Sequence, residues 1–252
     1  MGDTVVHALD GVDLEIDTGE FVAVTGVSGS GKSTLMHLFG GLDRPTAGLL
    51  EFQGQSVGAM NERKLAEMRN RHIGFVFQTF NLINRTSALD NVCVPLMYTR
   101  RPYSRKKALA ALQRVGLEQR ARHSPAEMSG GECQRVAIAR AIVNEPALIL
   151  ADEPTGNLDT KTSGQIMGIF HELHDAGITI VVVTHEMEVA VQADRIVRMR
   201  DGRIVEDAAV DSTRREAVEE QTRLSHRRVE RDRGAVPAAT VANPGPRLKK
   251  LG

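Results

Sequence analysis

Residues 26–34, Gly26-Val27-Ser28-Gly29-Ser30-Gly31-Lys32-Ser33-Thr34, carry the spacing G-x-x-x-x-G-K-[ST]. Those residue types suit the cradling of a polyphosphate. Glycines let the backbone fold around phosphate with its N–H groups turned inward, at the positive end of a following helix. Lys32 can reach the β- and γ-phosphates, and the Ser33 hydroxyl is a natural Mg²⁺ ligand. A second candidate is Asp152-Glu153, which closes the apolar run Ala147-Leu148-Ile149-Leu150-Ala151. A strand of that kind delivers Asp152 at its C-terminal end, where ligands bind in open α/β sheets. Asp152 is placed to hold Mg²⁺ through its water shell, and Glu153 to orient and polarise an attacking water. A third candidate is Ser129-Gly130-Gly131-Glu132. Ser129 can cap a helix and the two glycines leave its first N–H groups unobstructed, which makes a second anion-binding helix start. Taken alone, Ser-Gly-Gly fits a plain N-cap equally well.

The elements that must position these residues are legible around them. Phe21 to Thr25 is a continuous apolar strand leading into the glycine-rich loop. Beyond the loop, Leu35, Leu38, Phe39 and Leu42 fall on one helical stripe, weakened at Gly40-Gly41 and followed by Pro45. Val12, Leu14 and Ile16 alternate as in a half-buried strand, and Asp17-Thr18-Gly19-Glu20 reads as a turn. Leu49 to Phe52, Ile73 to Phe77 and Ile178 to Thr184 are further strands. Arg195 to Met199 and Arg203 to Val205 flank Asp201-Gly202 as a hairpin. Between about 84 and 128 strand-like runs disappear, and Leu109, Leu112 and Val115 suggest a short amphipathic helix. This reads as a helical insertion in an α/β domain spanning residues 1–206. Residues 207–252 form a charged tail; from Asp211 onward it has ten Lys/Arg and six Asp/Glu, a possible helix over 212–231, and Pro237, Pro244 and Pro246 in a disorder-like end.

Composition narrows the function classes. The 252 residues carry 32 Lys+Arg against 32 Asp+Glu, a net charge of zero that argues against gripping nucleic acid by bulk positive charge. No apolar run reaches the roughly 18–20 residues of a membrane span. No secretory leader pattern is visible, and two cysteines, Cys93 and Cys133, are too few for a disulfide framework. The reading is a globular, cytosolic α/β protein.

In order along the chain, the phosphate loop, Ser129-Gly130-Gly131-Glu132, Asp152-Glu153, Asn157-Leu158-Asp159 and His185 resemble the ATP-binding-cassette (ABC) ATPases. The resemblance covers about residues 5 to 206. It implies the P-loop NTPase fold: a RecA-like core, an antiparallel β subdomain and an inserted α-helical subdomain. It implies ATP and Mg²⁺ as ligands, and two cassettes paired head to tail, with each ATP between the phosphate loop of one copy and the Ser-Gly-Gly segment of the other. By motif match, Gln78 in Phe75-Val76-Phe77-Gln78 contacts Mg²⁺ and senses a membrane partner, Asp159 lies at the dimer seam, and His185 contacts the γ-phosphate. Gly40-Gly41-Leu42-Asp43-Arg44-Pro45-Thr46, Asp90-Asn91-Val92 with Pro95-Leu96, and Asp152 to Asp159 are similar to the lipoprotein-release, macrolide-export and cell-division branch. That branch implies a separate permease, FtsX/MacB-like with four transmembrane helices, driven mechanically by ATP cycling. The cassette is then peripheral to the inner face of the cell membrane. A cell-wall-regulating ATPase without transport is the alternative, and a soluble nucleic-acid ATPase is disfavoured by the single cassette and zero charge.

Three departures from the family pattern stand out. Val6-His7-Ala8-Leu9 is reached almost immediately, so the first strand and the adenine-stacking aromatic are read as missing, with His7 a partial substitute. Cys133 stands where a basic or amide residue is usual; it is either silent or, at a helix start, a thiol of lowered pKa. The charged tail is longer than a minimal cassette needs.

Overall fold

A computed structural model describes residues 7–99, 104–218 and 220. The apolar runs assemble into one six-stranded sheet in the order β4-β5-β6-β1-β7-β8. β1 (Phe21–Thr25) lies between β6 (Thr179–Val183) and β7 (Arg195–Arg200), parallel to both. β4 (Ile73–Phe77) and β5 (Leu148–Asp152) extend the parallel array on the β6 side. β8 (Arg203–Ala209) returns antiparallel from β7 through Asp201-Gly202. A short hairpin, β2 (Glu51–Phe52) and β3 (Gln55–Ser56), stands apart.

Continuous apolar strands are what a sheet covered on both faces requires. Phe21 and Ala23 point into one cluster with Ile138, Ile166 and Phe170, while Val22 and Val24 point into the other with Leu35 and Met36. The first cluster is covered by α3 (Ala88–Cys93), α4 (Arg105–Arg114), α5 (Gly130–Ile142) and α6 (Thr160–Asp175). The second is covered by α1 (Lys32–Phe39) and α2 (Glu62–His72). A short α7 (Met187–Ala190) follows β6. Among the described residues no strand falls between β4 and β5, and none of the helices is long and apolar enough to cross a membrane.

Several boundaries differ from the sequence reading. Residues 12–16 keep the alternation, with Val12, Leu14 and Ile16 packed on the second cluster, but they form no strand because no neighbour supplies a backbone ladder. The helix expected through Leu42 stops at Phe39. Gly40 presses on the Phe75 ring, Gly41 turns to φ +58°, and Leu42 is 47% exposed. Leu49 is 73% exposed, leaving only Glu51–Phe52 in the strand. In α4 the buried face is Ala108, Ala111 and Leu112, with Leu109 turned outward. β8 runs on to Ala209, which pairs with Arg195, so residues 207–209 sit in the sheet rather than in a tail. Residues 212–218 are helical, and the rest of the expected 212–231 helix lies outside the described residues.

Candidate active site

The glycine-rich loop joins the C-terminal end of β1 to α1. Its shape is imposed by close neighbours. A Cβ on Gly26 would collide with the Met199 carbonyl oxygen of β7 and lie 2.6 Å from Ser30 Oγ. Gly31 has φ +102°, and a Cβ there would meet the Ala8 carbonyl oxygen at 2.6 Å. Lys32 Nζ donates to the Gly26 and Val27 carbonyl oxygens at 2.7 and 2.9 Å, so the ammonium bends back over the loop.

Beside the loop opens a cleft of about 1000 Å³ lined by residues 26–34 together with His7, Gln78, Asp152, Glu153, His185 and Gly202. The parallel order brings these together: β1, β4, β5 and β6 all end at this rim, the C-terminal edge expected to hold ligand. Burial and the neighbouring Glu153 charge push the Asp152 carboxyl above its usual value, against the opposing pull of His37 and Lys32. Glu153 adopts φ +45°, a left-handed conformation costing roughly 1–2 kcal/mol for a residue with a Cβ. Its N–H is anchored on the Val183 carbonyl at 2.9 Å. One carboxylate oxygen meets His185 Nδ1 at 2.7 Å; the other is buried with no partner. That hydrogen bond, with the Glu153 charge behind it, raises the His185 pKa. Glu153 thus lines the cleft on a strained backbone with one carboxylate oxygen left unpaired, and a buried polar atom without a partner is a place where a water molecule can bind.

Gln78 follows β4 and is tied to the loop after Glu153. Asn157 Nδ2 donates to the Gln78 carbonyl at 3.0 Å, and Gln78 Nε2 approaches Asn157 Oδ1 at 3.4 Å. Gly156 leaves the room for this, since a Cβ there would lie 2.8 Å from Gln78 Nε2. Among the described residues no group of three or more His, Cys, Asp and Glu side chains could hold a metal. The Ser33 hydroxyl and the half-buried Asp152 carboxylate are hard oxygen donors on one wall, and this sparse set fits Mg²⁺ in company with nucleotide phosphates.

The other motif residues lie elsewhere. Ser129 caps α5 and forms a capping box with Glu132, whose carboxylate also pairs with Arg120 at 3.0 Å. Asp159 caps α6, accepting from Thr162 N at 3.1 Å and Thr162 Oγ1 at 2.6 Å. Gly131 packs against Thr162, so the Ser-Gly-Gly turn and the Asp159 cap are one unit. None of Ser129, Gly130, Gly131, Glu132 and Asp159 lines the cleft. Cys133 is buried, and burial with the adjacent Glu132 charge raises its thiol pKa. Of the two readings offered by the sequence, a silent Cys133 or a thiol of lowered pKa, the burial of the side chain favours the silent one.

Sequence reasoning missed three participants. Gly202, read only as part of a hairpin turn, lines the cleft and donates its N–H to the Ser30 carbonyl at 3.0 Å. Asn157, quoted only as part of a motif, is the side chain that fastens Gln78. Arg140 grips the backbone two and three residues past Gln78; an arginine among the apolar residues of α5 was the available signal.

The model of the family described as ABC transporter matches residues 9–156, more than half of the chain. The chain belongs to the ABC transporter family. An uncharacterised ABC transporter ATP-binding protein of Thermotoga maritima is 52% identical over 206 residues, covering 81% of this cassette and 88% of the relative. A macrolide export ATP-binding/permease protein, MacB, of Chlorobaculum tepidum is 54% identical over 208 residues, 82% of this cassette and 32% of the relative. The cassette thus spans about a third of the length of the MacB proteins it matches. Among solved structures, the dimeric ATP-binding cassette MJ0796 in a post-hydrolysis state bound to ADP and Pi shares 43% identity with a TM-score of 0.77, covering 84% of this chain and 94% of that one. The cassette is an ATP-binding ATPase of mixed α/β P-loop fold.

Proposed function

We propose that this cassette is the motor of a membrane transporter of the macrolide-export type, working as a head-to-tail pair with a second copy of itself. One observation carries the pairing. Within a chain, the phosphate loop, Glu153 and His185 share a cleft, whereas the Ser129-Gly130-Gly131 helix start and the Asp159 cap lie outside it. Two anion-binding helix starts that do not converge in one molecule can converge across two.

In the paired site, Lys32 and the N–H groups of residues 26–34 balance phosphate charge, and the Ser129-Gly130-Gly131 turn of the second copy closes on the γ-phosphate. Glu153, which lines the cleft, holds the attacking water on its carboxylate and draws off its proton. His185, fixed by Glu153 at 2.7 Å, presents its other ring nitrogen to the transferring group. Ser33, Gln78 and Asp152 would hold Mg²⁺, which when bound supplies neutralising charge to the phosphates.

A groove of about 540 Å³ near the Gln78 loop, lined by Leu42, Phe75, Phe77, Pro95 and Tyr98, suits a cytoplasmic helix of the permease. Tyr98 is 77% exposed at the groove, and Met97, its neighbour in the chain, is 62% exposed, apolar surface that a partner would cover. The MacB relatives are named ATP-binding/permease proteins, which supports a permease as the partner, and docking on it would hold the cassette at the inner face of the membrane.

The test is ATP turnover of the full chain with and without the cognate permease in lipid. Turnover rises with the permease and vanishes in Glu153→Gln, which still binds ATP and pairs. Normal hydrolysis by Glu153→Gln would remove Glu153 from its role, and turnover indifferent to the permease would remove the motor reading.

A further inference from the structure

We infer that Arg140 is a positioning residue for Gln78, holding the loop in the conformation that turnover requires; the inference rests on the reading of Gln78 given above. After Gln78 the chain makes an unusual turn. Phe80 has φ +58° and Asn81 φ +50°, two successive left-handed residues that are not glycine. Each is unfavourable by itself, and such conformations persist only where the surroundings impose them. Arg140 does so. Its guanidinium donates to the Phe80 carbonyl at 2.8 Å and to the Asn81 carbonyl.

This is an expensive use of a cation. Burial pushes the Arg140 pKa below its usual value. A half-buried guanidinium with two backbone carbonyls for partners makes charge-assisted bonds whose geometry a lysine cannot copy.

The origin of the arginine gives the clamp its direction. Arg140 is in the last turn of α5, whose first turn is the Ser129-Gly130-Gly131 helix start, about 15 Å away at 1.5 Å per residue. The same end of α5 is seated on β4: a Cβ at Gly74 would lie 2.6 Å from the Ala141 carbonyl oxygen. So β4 is gripped by α5 near its start, and the loop after β4 is gripped by Arg140. Gln78 sits between these grips, and Arg140 also lines the apolar groove beside Phe75 and Tyr98. A rigid helix thereby joins the helix start presented to the second copy to the loop that carries Gln78. Movement of α5 as the pair closes would reach Gln78 through the Phe80 and Asn81 carbonyls.

The experiment is a double-mutant cycle on the full chain. Steady-state ATPase is measured for wild type, Arg140→Lys, Gln78→Ala and the double variant, with thermal melting and fluorescent-nucleotide binding alongside. Arg140→Lys keeps the charge and loses the two-carbonyl grip. It is expected to lower kcat about tenfold with nucleotide affinity within twofold of wild type, because the phosphate loop is untouched. In the Gln78→Ala background the same substitution should cost less than twofold, since there is no side chain left to position. Asn81→Gly, which accepts φ +50° without strain, should return at least part of the kcat lost in Arg140→Lys. A purely structural Arg140 gives losses that multiply in the double variant and no rescue by Asn81→Gly, and that pattern overturns the inference. Should Arg140→Lys fail to fold, Asn81→Gly in that background decides: a folded protein with kcat restored supports the clamp, and a folded protein with no turnover overturns it, as does one that still does not fold. If Gln78→Ala itself turns over ATP at the wild-type rate, the reading of Gln78 fails. If Gln78→Ala is slow while Arg140→Lys is not, only the inference about Arg140 fails.

Discussion

Replacing Gly131 with alanine tests whether the Ser-Gly-Gly turn and the Asp159 cap form one packed unit. A Cβ on Gly131 would overlap the Thr162 Cγ2 methyl and lie 3.8 Å from Thr162 Oγ1. Thr162 is not free to swing away, because its hydroxyl and its N–H both bind the Asp159 carboxylate. Overpacking of this kind costs about 1–3 kcal/mol. Alanine recovers up to about 1 kcal/mol in helix propensity, less in the first turn. The net expectation is a loss of about 1–2 kcal/mol for Gly131→Ala. Thr162→Ser removes the offending methyl and keeps the hydroxyl, at a cost of about 0.8 kcal/mol for one methyl group. In the double variant the overlap disappears, so the stabilities should fail to add by about 1–2 kcal/mol in the favourable direction. Urea denaturation of the four proteins, with equal slopes, gives the cycle. Additive losses, or a Gly131→Ala protein as stable as wild type, would refute the packing argument.

Two further outcomes follow from the site and its supports. His185 has a raised pKa from its bond to Glu153, so the stability it contributes is fully present below its ordinary value of 6.5 and is lost as pH climbs through the raised folded value. The difference in Tm between wild type and His185→Ala is therefore larger at pH 6 than at pH 9, and a difference that grows with pH would contradict the pairing. Asn91 is wholly buried and serves the 83–87 loop from both ends of its amide, accepting from Ile83 N at 2.7 Å and donating to Thr86 Oγ1 at 2.8 Å. Asn91→Ala removes the partner of the Ile83 N–H and should cost about 1–3 kcal/mol. A thermal melt within a degree or two of wild type would show that the loop finds other partners.

Much of the site was legible because its chemistry is local. The phosphate loop, Asp152 and Glu153 sit at strand ends that continuous apolar runs announce, and β1, β4, β5 and β6 were found to within a residue or so. What the sequence concealed was long-range. Residues 12–16 have the alternation of a strand, yet a strand also needs a neighbour, and alternation says nothing about one. Leu42 matched a helical stripe, but Gly40 and Gly41 ended the helix first, where Phe75 leaves no room for a Cβ on Gly40. Cys133 could be read as silent or as activated at a helix start, and only its burial, which depends on the packed fold, separates the two. Arg140 reads as one more polar residue in a helix until the fold brings the Phe80 and Asn81 carbonyls to it.

The claim on which the account turns is that each ATP site is completed by a second copy of the chain. Mixing two inactive variants tests it directly. Lys32→Ala spoils the phosphate loop and leaves Ser129-Gly130-Gly131 intact; Ser129→Arg does the reverse. Each alone should release no phosphate. Mixed in equal amounts, random pairing makes half the dimers mixed, each with one intact composite site of two, so phosphate release should return to about a quarter of the wild-type rate. No recovery at any mixing ratio, in a mixture that size-exclusion chromatography with ATP shows to pair, would mean that the Ser129 helix start does not serve the phosphate loop of its partner.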